Sequence, residues 1–175
     1  DWMTCLAHWQ ASPVLIPNTL DDPEQILQAT KPDILILTGG NDIGESKSRD
    51  QTEIKLLKYA IKKRMPVLGV CRGTQVINTY FGGSLTPVTG HINAPHPLMI
   101  DKTWQQFYND QIIVNSYHGF TVEHDGLASS LKSFAHDEDN HIEGLFHQEQ
   151  PIVGIMWHPE RDTPLKGNEL VLKKL

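Results

Sequence analysis

The residues best placed to do chemistry are in Gly69-Val70-Cys71-Arg72-Gly73. An apolar run from Val67 delivers one cysteine into a turn flanked by small residues, and Arg72 to Tyr80 then reads as a helix. Strand, sharp turn and helix make a nucleophile elbow, which presents one side chain at the end of a sheet on a strained backbone. A thiol at the mouth of a helix also meets unpaired amide N–H groups and the positive end of the helix dipole. Its pKa is therefore expected to fall towards the reactive thiolate. A free cysteine is more often a small buried hydrophobe; the Gly-x-Cys-x-Gly context is what favours a nucleophile here.

A thiol nucleophile needs a base, and the base needs an orienting group. Trp157-His158-Pro159-Glu160 supplies both. On an extended chain His158 and Glu160 project to the same side, so the carboxylate can hold one ring nitrogen while the other faces the thiol. Pro159 cannot donate to a ladder, which places the end of a strand there. Acyl transfer also needs donors for a developing oxyanion. The Arg72 N–H follows the nucleophile directly, and the Gly39-Gly40-Asn41 loop can bring in a second N–H because nothing bulky blocks it.

The elements that must position these groups follow from periodicity. Trp2, Leu6 and Trp9 recur at helical spacing. Val14 to Pro17 reads as a short strand, and Asp22 with Pro23 and Gln25 starts a helix that Pro32 closes. Asp33 to Thr38 is a continuous apolar run, as expected of a strand covered on both faces. Asp50 with Glu53 forms a capping pair for a helix carrying Ile54, Leu57 and Ile61 as far as Arg64. Further on, Ser84 to Val88, Ile112 to Asn115, Leu131 to His136, His141 to Phe146 and Ile152 to Trp157 read as strands, Gly90 to Pro97 as irregular, and Gly167 to Leu175 as a closing helix. Alternating strands and helices predict an α/β fold: an open, mostly parallel sheet with flanking helices plus a small antiparallel strand region, with its site at the carboxyl ends of strands.

Length predicts one domain over residues 1–175. A net charge of −6 disfavours a basic nucleic-acid surface. No apolar run reaches the roughly 18 residues of a membrane span, and no signal peptide is evident. Two cysteines cannot build a disulfide framework, which fits a cytoplasmic protein.

With these motifs together, the chain resembles the class I (triad) glutamine amidotransferases. Arg49-Asp50-x-x-Glu53, Pro66 to Gly73 and Val114-Asn115-Ser116-x-His118 are similar to the γ-glutamyl hydrolase branch, and Met156 to Arg161 to the γ-glutamyl-CDP-amidate hydrolases. The resemblance implies the amidotransferase-like, flavodoxin-like fold, lacking its first strand here. It implies Cys71 as nucleophile, His158 as proton shuttle and Glu160 as orienter. The oxyanion hole would come from Arg72 and Gly39 or Gly40, and Asn41, Gln75, Ser116, Tyr117, His118, Gly119 and Phe120 would bind substrate. Many γ-glutamyl hydrolases carry Gln where Phe120 stands; His118-Gly119-Phe120 is instead similar to the glutaminase subunit of carbamoyl-phosphate synthetase.

Nine histidines invite a metal. The spacings of His91, His96, His136, His141 and His147 fit neither a helical pair nor a compact Cys/His site, so neither metal nor cofactor is expected. His91 and His96 are expected in a loop near the mouth of the site, Asp137 to Asp139 in a solvated turn, and the four tryptophans in core or rim. The leading reading is a cysteine hydrolase of a small γ-glutamyl amide, acting through a thioester and releasing glutamate plus an amine or amidate. Its alternatives are a glutaminase subunit delivering ammonia to a synthase partner and a non-catalytic binding module of the same fold. A homodimer stays open.

Overall fold

Side-chain alternation along the central strands divides the molecule into two hydrophobic cores. The computed structural model describes residues 1–161 and 166–174. In chain order it contains α1 (Trp2–His8), α2 (Glu24–Thr30), β1 (Leu35–Leu37), α3 (Lys47–Lys63), β2 (Val67–Val70), α4 (Arg72–Tyr80) and β3 (Thr86–Pro87). There follow β4 (His96–Ile100), β5 (Gln111–Val114), β6 (Phe120–Thr121), β7 (Leu131–His136), β8 (Ile142–His147), β9 (Ile152–Ile155) and α5 (Lys166–Lys174). Seven strands form one sheet in the order β1-β2-β9-β8-β7-β4-β5, and β3 pairs with β6 in a small antiparallel ribbon. β1, β2 and β9 are parallel to one another. β8, β7, β4 and β5 continue the sheet antiparallel. This is the expected open α/β sheet with flanking helices and a small antiparallel ribbon, but it is mixed and not mostly parallel: two of its six strand pairings among the described residues, β1–β2 and β2–β9, are parallel, and they lie where the elbow emerges.

Val67, Ile152 and Leu37 pack with Leu27 of α2, Leu57 and Ala60 of α3 and Ile77 of α4. Their strand neighbours Leu68, Val70, Val153 and Ile155 pack instead with Leu6 and Trp9 at α1 and Val171 of α5. Successive strand side chains point to opposite faces, so a strand between two helical layers must be apolar throughout, and both central strands are.

The structure corrects several local expectations. Val14 to Pro17 is not a strand: Val14 and Leu15 are exposed and pair with nothing regular among the described residues. α3 begins at Lys47 behind Ser46, so Asp50 and Glu53 lie inside its first turns and do not cap it. Its buried stripe is Leu56, Leu57 and Ala60, with Ile54 exposed. β4 starts within the segment expected to be irregular. Pro97 is tolerated there because β4 meets β7 only through Met99 and Ile100. The closing helix falls where it was expected, although Leu175 lies outside the described residues. Among the described residues no helix is long and apolar enough to cross a membrane.

Candidate active site

β2 ends at Val70, and Cys71 takes φ 50° and ψ −106° before α4 begins. Such a backbone costs on the order of 1–3 kcal/mol unless its surroundings enforce it. They do. The Cys71 N–H donates to the Ile155 carbonyl at 2.7 Å, and the Cys71 carbonyl accepts from the Thr74 and Gln75 amides. The Thr74 hydroxyl adds a 2.7 Å bond to the same Ile155 carbonyl. The elbow is thus fastened to the end of β9, whose continuation carries His158.

Beyond Ile155 the chain bends and turns, with the Arg161 N–H donating to the His158 carbonyl. This turn, and not an extended strand, brings Glu160 back to His158, with Nδ1 and Oε1 2.8 Å apart. A carboxylate there only accepts, so Nδ1 carries the hydrogen and Nε2 is left as the basic nitrogen. Nε2 is buried without a hydrogen-bond partner.

Gly39 joins the two halves. A Cβ on Gly39 would sit 2.6 Å from Cε1 of His158 and 3.6 Å from Cβ of Cys71. Glycine is needed at 39 because imidazole and cysteine both close on the loop, whereas Gly40 needs its freedom for a φ of 145°.

An ion network beneath the site was not foreseen. The Arg72 side chain is 1% exposed and pairs with Glu53 and Asp50. Glu53 also accepts from Nε of Arg49 at 2.8 Å. Arg49 in turn donates to the Thr38 and Gly39 carbonyls at 2.8 and 2.9 Å and to Asn41 Oδ1 at 3.0 Å. The Gly39-Gly40 loop and the first turn of α4 are therefore tied to one buried carboxylate. Asn41 serves this scaffold.

Burial pushes the Cys71 thiol up to about 12. A hydrogen bond from the Arg72 amide pulls it down, while Glu143 and Glu160 push it further up. The expected lowering is overturned: desolvation outweighs the helix terminus, and the resting thiol is neutral.

The other expected substrate residues divide. Ser116 is buried and donates to the His91 carbonyl at 2.7 Å. His118 is 3% exposed and lies beside Glu143. Gln75 is also buried, and its Nε2 donates to the Phe120 carbonyl at 3.0 Å, fixing the Tyr117 to Phe120 segment against α4. Tyr117 is half-buried, its ring edge-on to His158 at 5.6 Å. Gly119 and Phe120 are also half-buried.

Two residues escaped the sequence reading as site components. Asn115 accepts from the His158 N–H at 2.8 Å and donates to its carbonyl at 2.9 Å. Arg161 is exposed and lies over the Tyr117 ring, Cζ 4.2 Å from its centroid. Both stood in the quoted motifs, but no periodicity links β5 to the turn after β9.

Other expectations fail by burial. His91 is not a mouth residue, since it is 6% exposed and packs against His96, His118 and His141. Asp137 is not solvated; it is 4% exposed and accepts from the His141 N–H and Nδ1. Trp9 and Trp157 are core residues.

Among known proteins, the family Peptidase C26 matches residues 1–160. A γ-glutamyl-CDP-amidate hydrolase of Campylobacter jejuni is 34% identical over 143 residues, 78% of this chain and 66% of that protein. The glutamine amidotransferase-like protein YvdE of Lactococcus lactis is 30% identical over 157 residues, 73% of this chain and 66% of that protein. The chain thus spans just under two thirds of the length of these relatives. A glutamine amidotransferase structure from Thermotoga maritima superposes with a TM-score of 0.71 at 18% identity, covering 90% of this chain and 68% of the other. The last comparison speaks for the fold alone, and it agrees with the class I amidotransferase resemblance drawn from the motifs.

Proposed function

The chain belongs to the Peptidase C26 family, and on that premise we propose that it hydrolyses a γ-glutamyl amide with Cys71 as nucleophile, His158 as base and Glu160 as orienter. The observation that carries this reading is the Glu160-bound imidazole whose Nε2 is bare, next to the glycine that Cys71 also abuts.

Nε2 of His158 takes the thiol proton as Sγ attacks the γ-carbonyl carbon. The neutral resting thiol makes this transfer part of the attack. The carbonyl oxygen gains charge and is met by the Arg72 N–H and an N–H of the Gly39-Gly40 loop. Collapse of the tetrahedral intermediate breaks the C–N bond, and His158 returns its proton to the leaving nitrogen. Water, deprotonated by His158, then cleaves the thioester to glutamate and free thiol. The Tyr117 to Phe120 segment, held by Gln75, is a shelf for the glutamyl end. Arg161 is an exposed cation lying over Tyr117 of this shelf, and it suits a leaving group that carries phosphate. The Campylobacter relative's name points the same way.

A panel of glutamine, γ-glutamyl-aminobutyrate, folate polyglutamate and γ-glutamyl-CDP-amidate, read by glutamate release, tests the reading. Turnover by the chain alone is expected, highest for the amidate, abolished in Cys71→Ala and weakened in KM for the amidate alone in Arg161→Ala. Turnover untouched by Cys71→Ala would refute the covalent route. The His118-Gly119-Phe120 run favours a second reading as a glutaminase subunit, in which turnover stays near zero until a synthase partner is added.

A further inference from the structure

Three segments far apart in sequence converge behind the Tyr117 to Phe120 shelf. His118 Nε2 lies 3.2 Å from Glu143 Oε1, and His91 Nδ1 lies 3.9 Å from the same oxygen. His96 Nε2 lies 3.7 Å from the other carboxylate oxygen. Glu143 has no exposed surface. None of these contacts has hydrogen-bond alignment: all three ring nitrogens and both carboxylate oxygens are buried without a partner. An unpartnered buried carboxylate costs several kcal/mol, on the order of what a pair or a metal would recover.

The opposite ring nitrogens decide what the cluster can hold. His118 Nδ1 lies 3.0 Å from the Phe120 carbonyl, which can only accept, so Nδ1 carries the hydrogen. His91 Nε2 lies 3.4 Å from Asp137 Oδ2, an acceptor that favours the hydrogen on that nitrogen. In their neutral forms both rings then turn bare lone pairs towards the carboxylate of Glu143. Lone pairs facing a carboxylate at these distances repel unless a proton or a metal cation stands between them. The pattern also supplies the outer support that metal-bound histidines need, a carboxylate behind one and a backbone carbonyl behind the other.

We propose that His91, His118 and Glu143, with His96 beside them, bind a divalent transition metal of the zinc class. Two imidazoles and a carboxylate suit that ion. Bonds of about 2.0–2.1 Å in a tetrahedron put neighbouring donors roughly 3.3 Å apart, close to the separations here. The ligand atoms of His91, His118 and Glu143 lie within 4.8 Å of one another, and His96, less buried than these, lies on the side from which an ion would enter. The spacing argument against a metal fails because the donors come from separate strands and loops. The bound ion fixes the shelf: it holds His118, whose Nδ1 shares the Phe120 carbonyl with Gln75. Its role is to position that segment, and the proposal stands apart from the hydrolase reading.

The test titrates Zn²⁺ into the metal-stripped Cys71→Ala chain against a chromophoric chelator, because the thiol beside His158 could otherwise take zinc itself. One equivalent per chain, a dissociation constant below about 1 μM and a melting midpoint raised by zinc are expected. Glu143→Gln should abolish binding. His91→Ala, at a second donor, should weaken it at least tenfold with the fold intact by circular dichroism, and this carries the test if Glu143→Gln does not fold. No uptake by the folded chain, or equal uptake by His91→Ala and its parent, would overturn the proposal.

Discussion

Asn115 clasps the peptide of His158 from both sides, its Oδ1 taking the amide hydrogen and its Nδ2 donating to the carbonyl. The imidazole is thereby anchored at its backbone by β5 and at its ring by Glu160, two supports from different parts of the chain. Removing the first should loosen the second. Asn115→Ala is expected to lower kcat by about 10- to 100-fold with little change in KM, as small misplacements of a catalytic group do. Unchanged steady-state kinetics in a folded Asn115→Ala chain would show that the clasp is not needed.

Gly39→Ala probes the junction of loop, imidazole and cysteine. The added methyl would lie 2.6 Å from Cε1 of His158, a ring that Glu160 and Asn115 prevent from stepping aside. A kcat loss of about 100-fold is expected, with circular dichroism unaltered. Retention of most activity would mean the ring can retreat.

Glu53 lies between two guanidinium groups, Arg49 and Arg72, and is itself nearly buried. Glu53→Gln leaves the fully buried Arg72 with Asp50 as its acidic partner. Breaking a buried pair on one side costs about 3–5 kcal/mol, so the unfolding free energy read by urea titration should fall by an amount in that range. Because Arg49 also holds the Thr38 and Gly39 carbonyls, activity should fall further than stability alone explains. Asp50→Asn, at a more exposed carboxylate, should be milder in both respects.

The raised Cys71 thiol has a consequence at alkaline pH. Its pKa is about 12 in the folded chain against an ordinary 9.0, so the folded chain keeps a proton that the unfolded chain releases. Stability must therefore fall as pH rises from about 9 towards 12, by up to about 1.4 kcal/mol per pH unit for this group. Urea unfolding at pH 8 and pH 10 should show a smaller drop in Cys71→Ala than in the parent. Equal drops would indicate a thiol with an ordinary pKa.

The candidate site was legible only in part. Cys71, His158, Glu160 and the Gly39-Gly40 loop stand out as candidates because their signals are local: an elbow needs small neighbours, and a proline ends a strand. The capping pair assigned to Asp50 and Glu53 shows how far local logic reaches. Two acidic residues three apart look like a helix start, but here they serve Arg72 across a helix interface.

By itself the sequence determined the alternation of strands and helices, the elbow and the family, since periodicity and turn chemistry act over neighbouring residues. Only the tertiary structure decided what lies between distant segments. Asn115 reaches His158 across 43 positions, Glu143 gathers three histidines from two other segments, and burial reverses the direction expected for the thiol. Sheet order and packing create these contacts and exclude the water. Neither is written in the spacing of residues along the chain.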